Sequence, residues 1–314
     1  MELFLVLEIY HIIILIFVGA LVGISMSFVG QTGQGVVVPL ILLMTGDVLL
    51  AISVNVLNDF IAATSVAINY VRKKQYYLNK NIIILIVISL ISSFFGVLIL
   101  MTTRLSTIFG WFLPAFIIFL GTTILSKGFP TSETLKEMVH KISQRLLKHK
   151  KIDVESKESD RATEKFEDSL ITEDQQIESV IKPYSRLFFL LALVLGIIVG
   201  FNSGMFGANS GFIITLVLII LYGYPLKKSV GTALILSIIM CIFTFSIYQI
   251  LGYMVKDQLY FNWEFVLYLG IGSFIMGLIT SNFVQKLSAK AMGRGMGATM
   301  ILLGLVSLVF YFIS

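Results

Sequence analysis

The stretch 19–36, GALVGISMSFVGQTGQGV, carries a hydrophobic helix with Gly19-x-x-x-Gly23 spacing into a polar break, Gly30-Gln31-Thr32-Gly33-Gln34-Gly35-Val36. The pattern returns 177 residues later, at 196–213, as GIIVGFNSGMFGANSGFI. There Gly196-x-x-x-Gly200 leads into Gly207-Ala208-Asn209-Ser210-Gly211-Phe212, and Gly46 falls on Gly223 at the same offset. Inside a bilayer, non-helical backbone survives only where protein or a polar cavity satisfies its N–H and C=O groups. Paired breaks in corresponding places of two halves are the strongest sequence pointer to a transporter's binding site.

That the breaks lie in a membrane follows from composition. The chain is 57% hydrophobic and only 13% charged, with mean hydropathy +0.94, which excludes an ordinary soluble domain. Each crossing needs about 20 apolar residues, and such runs recur at Ala51–Val71, Asn81–Met101, Ser106–Ser126, Ser229–Gly252, Trp263–Phe283 and Gly295–Ile313. Two more, Glu8–Val29 and Arg186–Phe206, end at the breaks, and the short apolar pieces Val36–Thr45 and Phe212–Tyr222 follow them. At ~1.5 Å per residue those pieces cover about half of a hydrocarbon core. Each break therefore reads as the base of a hairpin whose second arm is a half-helix. The single Cys241 offers neither a disulfide nor a metal cluster, and nothing in the sequence calls for a cofactor. Met1-Glu2-Leu3 lacks a basic n-region, so the start reads as mature protein.

One hairpin plus three crossings is an odd number, so the two halves must run in opposite senses. Charge counting tests this independently. With Arg72, Lys73, Lys74 and Lys80 in the cytoplasm, all but Arg104 and Lys256 of the 23 basic residues fall inside. The predicted fold is an all-α polytopic membrane protein of two inverted-topology repeats, residues 1–126 and 186–314, in the plasma membrane with both termini extracytoplasmic. A cytoplasmic loop, 127–185, joins them. Within it, 131–151 has Leu135, Met138, Val139, Ile142 and Leu146 on one helical face, a Thr134–Glu137 capping pair, and six Lys/Arg against two Glu. That pattern fits an amphipathic helix on anionic lipid. Residues 152–181, with ten acidic against three basic side chains, read as a disordered, solvated linker. The net charge of +5 is thus explained by the membrane and needs no nucleic acid.

A glycine-rich break, a short apolar helix and a Pro-Leu-Lys-x-x-x-x-Thr turn together resemble the TauE/SafE family, the toluene-sulfonate uptake permeases. The first break keeps Gly30, Gly33 and Pro39 of the family's Gly-x-Gly-Gly-Gly-Phe-x-x-x-Pro consensus, with Thr32 and Gln34 at glycine positions. The second keeps Gly207, Gly211 and Phe212, with Asn209, Ser210 and Leu216 as departures. Tyr224-Pro225-Leu226-Lys227-Lys228-Ser229-Val230-Gly231-Thr232 is the closer match. The resemblance implies a transporter of sulfite, sulfonates and similar sulfur-containing anions, commonly an exporter and proton-coupled. Departures from triple glycine replace bare backbone with side-chain donors, and they bear on which anion fits.

The residues themselves agree with an anion. A half-helix starting at each break aims free N–H groups and a positive dipole end at the cavity. The candidate binding set is Gly30, Gln31, Thr32, Gly33, Gln34 and Gly35 from the first break, and Gly207, Asn209, Ser210 and Gly211 from the second. Asn55, Asn58, Asn202, Ser203 and Thr232 flank it, and Ser25 and Ser27 line the approach. Asp59 is the one carboxylate deep in a span. An ionised Asp there costs about 2.5–3.5 kcal/mol on insertion scales, so Asp59 is the candidate for proton coupling. At offset 177 its counterpart is Leu236. An intramembrane enzyme is excluded, since two-aspartate proteolysis needs a second Asp and His11, near a span end, is the sole intramembrane histidine. A scaffold signalling through 127–185, or an anion channel, stays open as an alternative. The glycine faces Gly270–Gly272–Gly277 and Gly293–Gly295–Gly297 suit packing within a protomer or in a homo-oligomer.

Overall fold

Lipid leaves a spanning chain few ways to satisfy its backbone, and here the solution is helices throughout. The computed structural model describes residues 8–30, 33–78, 80–102, 118–119, 121–126, 186–207 and 211–313. Their order is α1 (Ile9–Val29), α2 (Gln34–Thr45), α3 (Val48–Arg72), α4 (Lys80–Thr102), a short helical stretch at 121–126, then α5 (Arg186–Phe206), α6 (Gly211–Tyr222), α7 (Leu226–Lys256), α8 (Trp263–Val284) and α9 (Ala289–Ile313). Among the described residues, five helices are long and apolar enough to cross a membrane. The amphipathic stretch 131–151, the acidic stretch 152–181 and the first part of Ser106–Ser126 lie outside the described residues.

The half-helices are where the glycine pattern placed them. α2 and α6 have 12 residues each, about 18 Å, whereas α1 and α5 have 21, about 31 Å and enough for a full crossing. α1 ends because Gly30 turns left-handed (φ 66°) and donates its N–H to the Met26 carbonyl, and Gly207 adopts the same conformation (φ 60°) after α5. Gly46 and Gly223 repeat this after α2 and α6. L-residues with a Cβ avoid that region, so the 177-residue repeat is imprinted on the backbone itself. The next helices are capped from outside: Asp47 accepts from the N–H groups of Leu49 and Leu50 at the start of α3, and Asn262 from Glu264 and Phe265 at the start of α8.

The two halves pack by exchange. α1 lies along α8, and α5 lies along α4. In the first pair, a Cβ on Gly19 or Gly23 would overlap the Leu269 or Ser273 carbonyl oxygen, and one on Gly272 the Ile16 carbonyl oxygen. In the second pair, Gly200 and Gly204 stand against the carbonyls of Ser89 and Ser93. Ser27 Oγ donates to the Gly277 carbonyl, and Ser89 Oγ to the Gly196 carbonyl. Residue numbers rise together in both pairs, so each is parallel. α3 also runs with α8 (Asn58 by Ser273, Asn69 by Ser281) and α7 with α4 (Thr244 by Ser93). α3 and α7 cross in opposite senses, with Ser53 bonded to Gln249 and Tyr70 beside Gly231. The glycine faces on α8 and α9 are used inside the chain: Gly270 meets Ile61, Gly277 meets Ser65, Gly295 meets Phe28 and Gly297 meets Gly121.

Candidate functional site

The two breaks meet at the centre of the bundle. The Gly30 carbonyl lies where a Cβ on Gly211 would have to go, so the second break accommodates the first only because residue 211 has no side chain. Depth follows from helix position. The Gly33 N–H, just before α2, donates to Asp59 Oδ1 at 2.8 Å, and Asp59 is the twelfth residue of the 25-residue α3. The start of α2 is therefore level with the middle of a full-length crossing.

Asp59, fully buried, ties this arrangement together. The Asn55 amide, one turn earlier, donates both to Asp59 Oδ2 (3.4 Å) and to the Gly207 carbonyl of the other break (2.9 Å). The carboxylate so occupies the positive end of α2, where the dipole and an N–H bond offset part of its burial cost. Sequence reasoning reserved that place for an outside ligand, whereas the chain fills it with its own carboxyl group. Asn58 Oδ1 accepts from Ser273 Oγ (2.9 Å) on α8, and its amide nitrogen has no partner among the described residues. Gln34 and Gly35 open α2 as buried residues.

Gln31, Thr32, Asn209 and Ser210 lie outside the described residues. Ser203 approaches Thr244 (3.4 Å), which bonds Ser93 (2.8 Å), in the seam of α4, α5 and α7. Asn202 is half-buried and Ser25 fully buried, and Ser27 is committed to the Gly23 and Gly277 carbonyls. Thr232 does not join the breaks. Its hydroxyl accepts from the Tyr77 N–H (2.8 Å), and its one proton is shared between the Lys228 carbonyl (2.8 Å) and the Tyr77 carbonyl (3.1 Å), clamping the 73–78 connection onto α7. Lys228 completes the clamp, bonding the Tyr77 hydroxyl and lying 4.4 Å from its ring centre.

Sequence reasoning missed Ser237, and the cause is one residue. The turn from α2 to α3 is Gly46-Asp47, but that from α6 to α7 is Gly223-Tyr224-Pro225. The repeat offset thus grows from 177 to 178, and the structural counterpart of Asp59 is Ser237, not Leu236. Ser237 is the twelfth residue of α7, as Asp59 is of α3. Its hydroxyl stands 3.1 Å from the point that a Cβ on Gly211 would occupy.

At one end of the bundle a concavity of about 630 Å³ opens, lined by Thr45, Asp47, Thr102, Lys256, Gln258 and Tyr260 among others. Burial, and then the nearby Asp47 carboxylate, hold the Tyr260 phenol above its usual range. Arg72, Lys227 and Lys228 mark the opposite end, where Lys227 Nζ donates to the Gln285 carbonyl.

A family model described as Sulfite exporter TauE/SafE matches residues 15–307, nearly the whole chain. Comparison with curated proteins and with solved structures gives no match.

Proposed function

The chain belongs to the sulfite exporter TauE/SafE family, and from that premise we propose that it is a proton-coupled secondary transporter exporting small sulfur-containing anions such as sulfite or sulfonates. The observation that carries this reading is the joining of the breaks: Gly30 against Gly211, with Asn55 bridging Asp59 and the Gly207 carbonyl. Two half-helices starting side by side at mid-depth bring two positive dipole ends to one buried place. A carrier needs its site reachable from alternate sides, and the repeats 1–126 and 186–314, inverted as the parallel and antiparallel pairings support, supply two matching gates. The cavity bounded by Asp47 and Lys256 is then the extracytoplasmic vestibule. The linker 127–185, Arg72 and Lys227 face the cytoplasm in the plasma membrane.

Asp59 is the proton-coupling residue in this reading. As a carboxylate it holds the α2 N-terminus and repels a second anion, and uptake of one proton removes that charge. The test is counterflow of labelled sulfite in proteoliposomes. A carrier accumulates label against a trans load of unlabelled sulfite, whereas a pore only equilibrates it. Loss of all flux on deleting 152–181 would favour a signalling scaffold instead.

A further inference from the structure

Asp59 and Ser237 occupy equivalent places beside equivalent half-helices, yet one is an ionisable carboxyl group and the other a neutral hydroxyl. At the start of α2 the N–H of its N-cap residue, Gly33, is bonded to a carboxyl group of the chain itself, Asp59 Oδ1, at 2.8 Å. At α6 the same position holds a neutral hydroxyl. Ser237 is fully buried, and among the described residues its Oγ has no hydrogen-bond partner, not even the carbonyl one turn back on its own helix. It lies against Gly211, the first residue of the 12-residue α6. Thr215, one turn into α6, is also fully buried, its hydroxyl without a partner among the described residues. Burying hydroxyls without partners is unfavourable, and a helix N-terminus draws negative charge.

We propose that a single oxyanion of sulfite or sulfonate size binds at the N-terminus of α6 against the Ser237 hydroxyl, in the place that the Asp59 carboxylate takes at α2. This rests on the transport reading above and narrows it to one break, one anion per protomer and one side chain absent from the sequence-predicted set. The chain's own carboxyl group at α2 serves as the template: two oxygens, one on the N–H of Gly33 just before the helix and one on the Asn55 amide. A sulfite or sulfonate head offers the same oxygens on a tetrahedral centre. At α6 the N–H groups of the first turn and the Ser237 hydroxyl donate to them. The neutral residue is what leaves this end open to a ligand.

Sulfite, kept reduced under nitrogen, is titrated against the purified full chain while thermal unfolding in detergent is followed. A ligand of the folded state raises the melting temperature with concentration. Wild type is expected to respond, and Ser237→Ala to need about tenfold more sulfite for the same shift, the loss of one hydrogen bond to a charged group. Ser237→Asp supplies the missing carboxylate and is expected to melt at a temperature independent of sulfite. If wild type responds and both variants respond as it does, the α6 site is wrong while the transport reading stands. Should one variant fail to fold, the other decides by the same criterion. If wild type neither responds nor shows sulfite counterflow, the transport reading itself fails and the site with it.

Discussion

At the residue scale, Asp59 and Thr232 show how far a side chain's role depends on its neighbours. Asp59 accepts one N–H from the first break, and Asn55 relays it to the second. Asp59→Asn keeps an acceptor for Gly33 but cannot take up and release a proton. Counterflow measured from pH 5 to 8 is expected to lose its pH dependence in that variant, and an unchanged profile would remove Asp59 from coupling. Thr232 belongs to the motif that most resembles the family, yet its hydroxyl is spent on both backbone groups of Tyr77. Thr232→Val is expected to cost about 1–3 kcal/mol of stability, since two backbone groups lose their partner. Thermal unfolding checks this, and the half-saturating sulfite concentration should not move.

At the element scale, the Gly-x-x-x-Gly spacing before each break has a definite partner. Gly19 and Gly23 let α1 close on α8, while Gly196, Gly200 and Gly204 let α5 close on α4. In lipid there is no hydrophobic drive between helices, so backbone-to-backbone approach carries the association. Gly200→Ala drives a methyl into the Ser89 carbonyl and is expected to lower stability by about 1–3 kcal/mol, the range for overpacking. Gly46→Ala meets open space and suffers only the positive φ, about 1 kcal/mol. Melting temperatures of the two variants in one detergent should fall in that order. The spacing made the close contacts legible, but which helix receives them is a long-range fact. Nothing in 19–23 names 269–277, because the pairing crosses between halves.

At the scale of the whole molecule, the helix directions fix which basic residues share an end, and the proposed orientation puts one of those ends in the cytoplasm. α1, α3 and α8 run one way and α4, α5 and α7 the other, which sets Lys256 and Lys73 at opposite ends of the bundle. In a Cys241→Ala background, Lys256→Cys is expected to react with an impermeant maleimide on intact cells. Lys73→Cys should react only after permeabilisation, and the reverse result would invert the proposed sidedness. The candidate site was partly legible as well. The breaks, Asp59, Asn55 and Asn58 stand out by polarity inside apolar runs, and the structure brings Asp59 and Asn55 to the breaks while Asn58 bonds Ser273 on α8. Ser237 was not found, because an alignment at constant offset hides the extra residue in Gly223-Tyr224-Pro225. Allowing for that residue would have paired Ser237 with Asp59.

The sequence alone determined that this chain lives in a bilayer, that its helices break twice at glycines, and that those breaks are related by repetition. These follow from local physics: hydropathy sets the solvent, span length sets the crossings, and residues 30 and 207 turn left-handed most cheaply without a Cβ. Only the tertiary structure decided which polar groups are already satisfied. A hydrogen bond such as Gly33 N–H to Asp59 spans 26 residues, and that between Asn55 and Gly207 spans 152. Whether a buried donor keeps capacity for a ligand depends on such partners. At the first break the chain supplies its own carboxyl group, and at the second the Ser237 hydroxyl has no partner among the described residues.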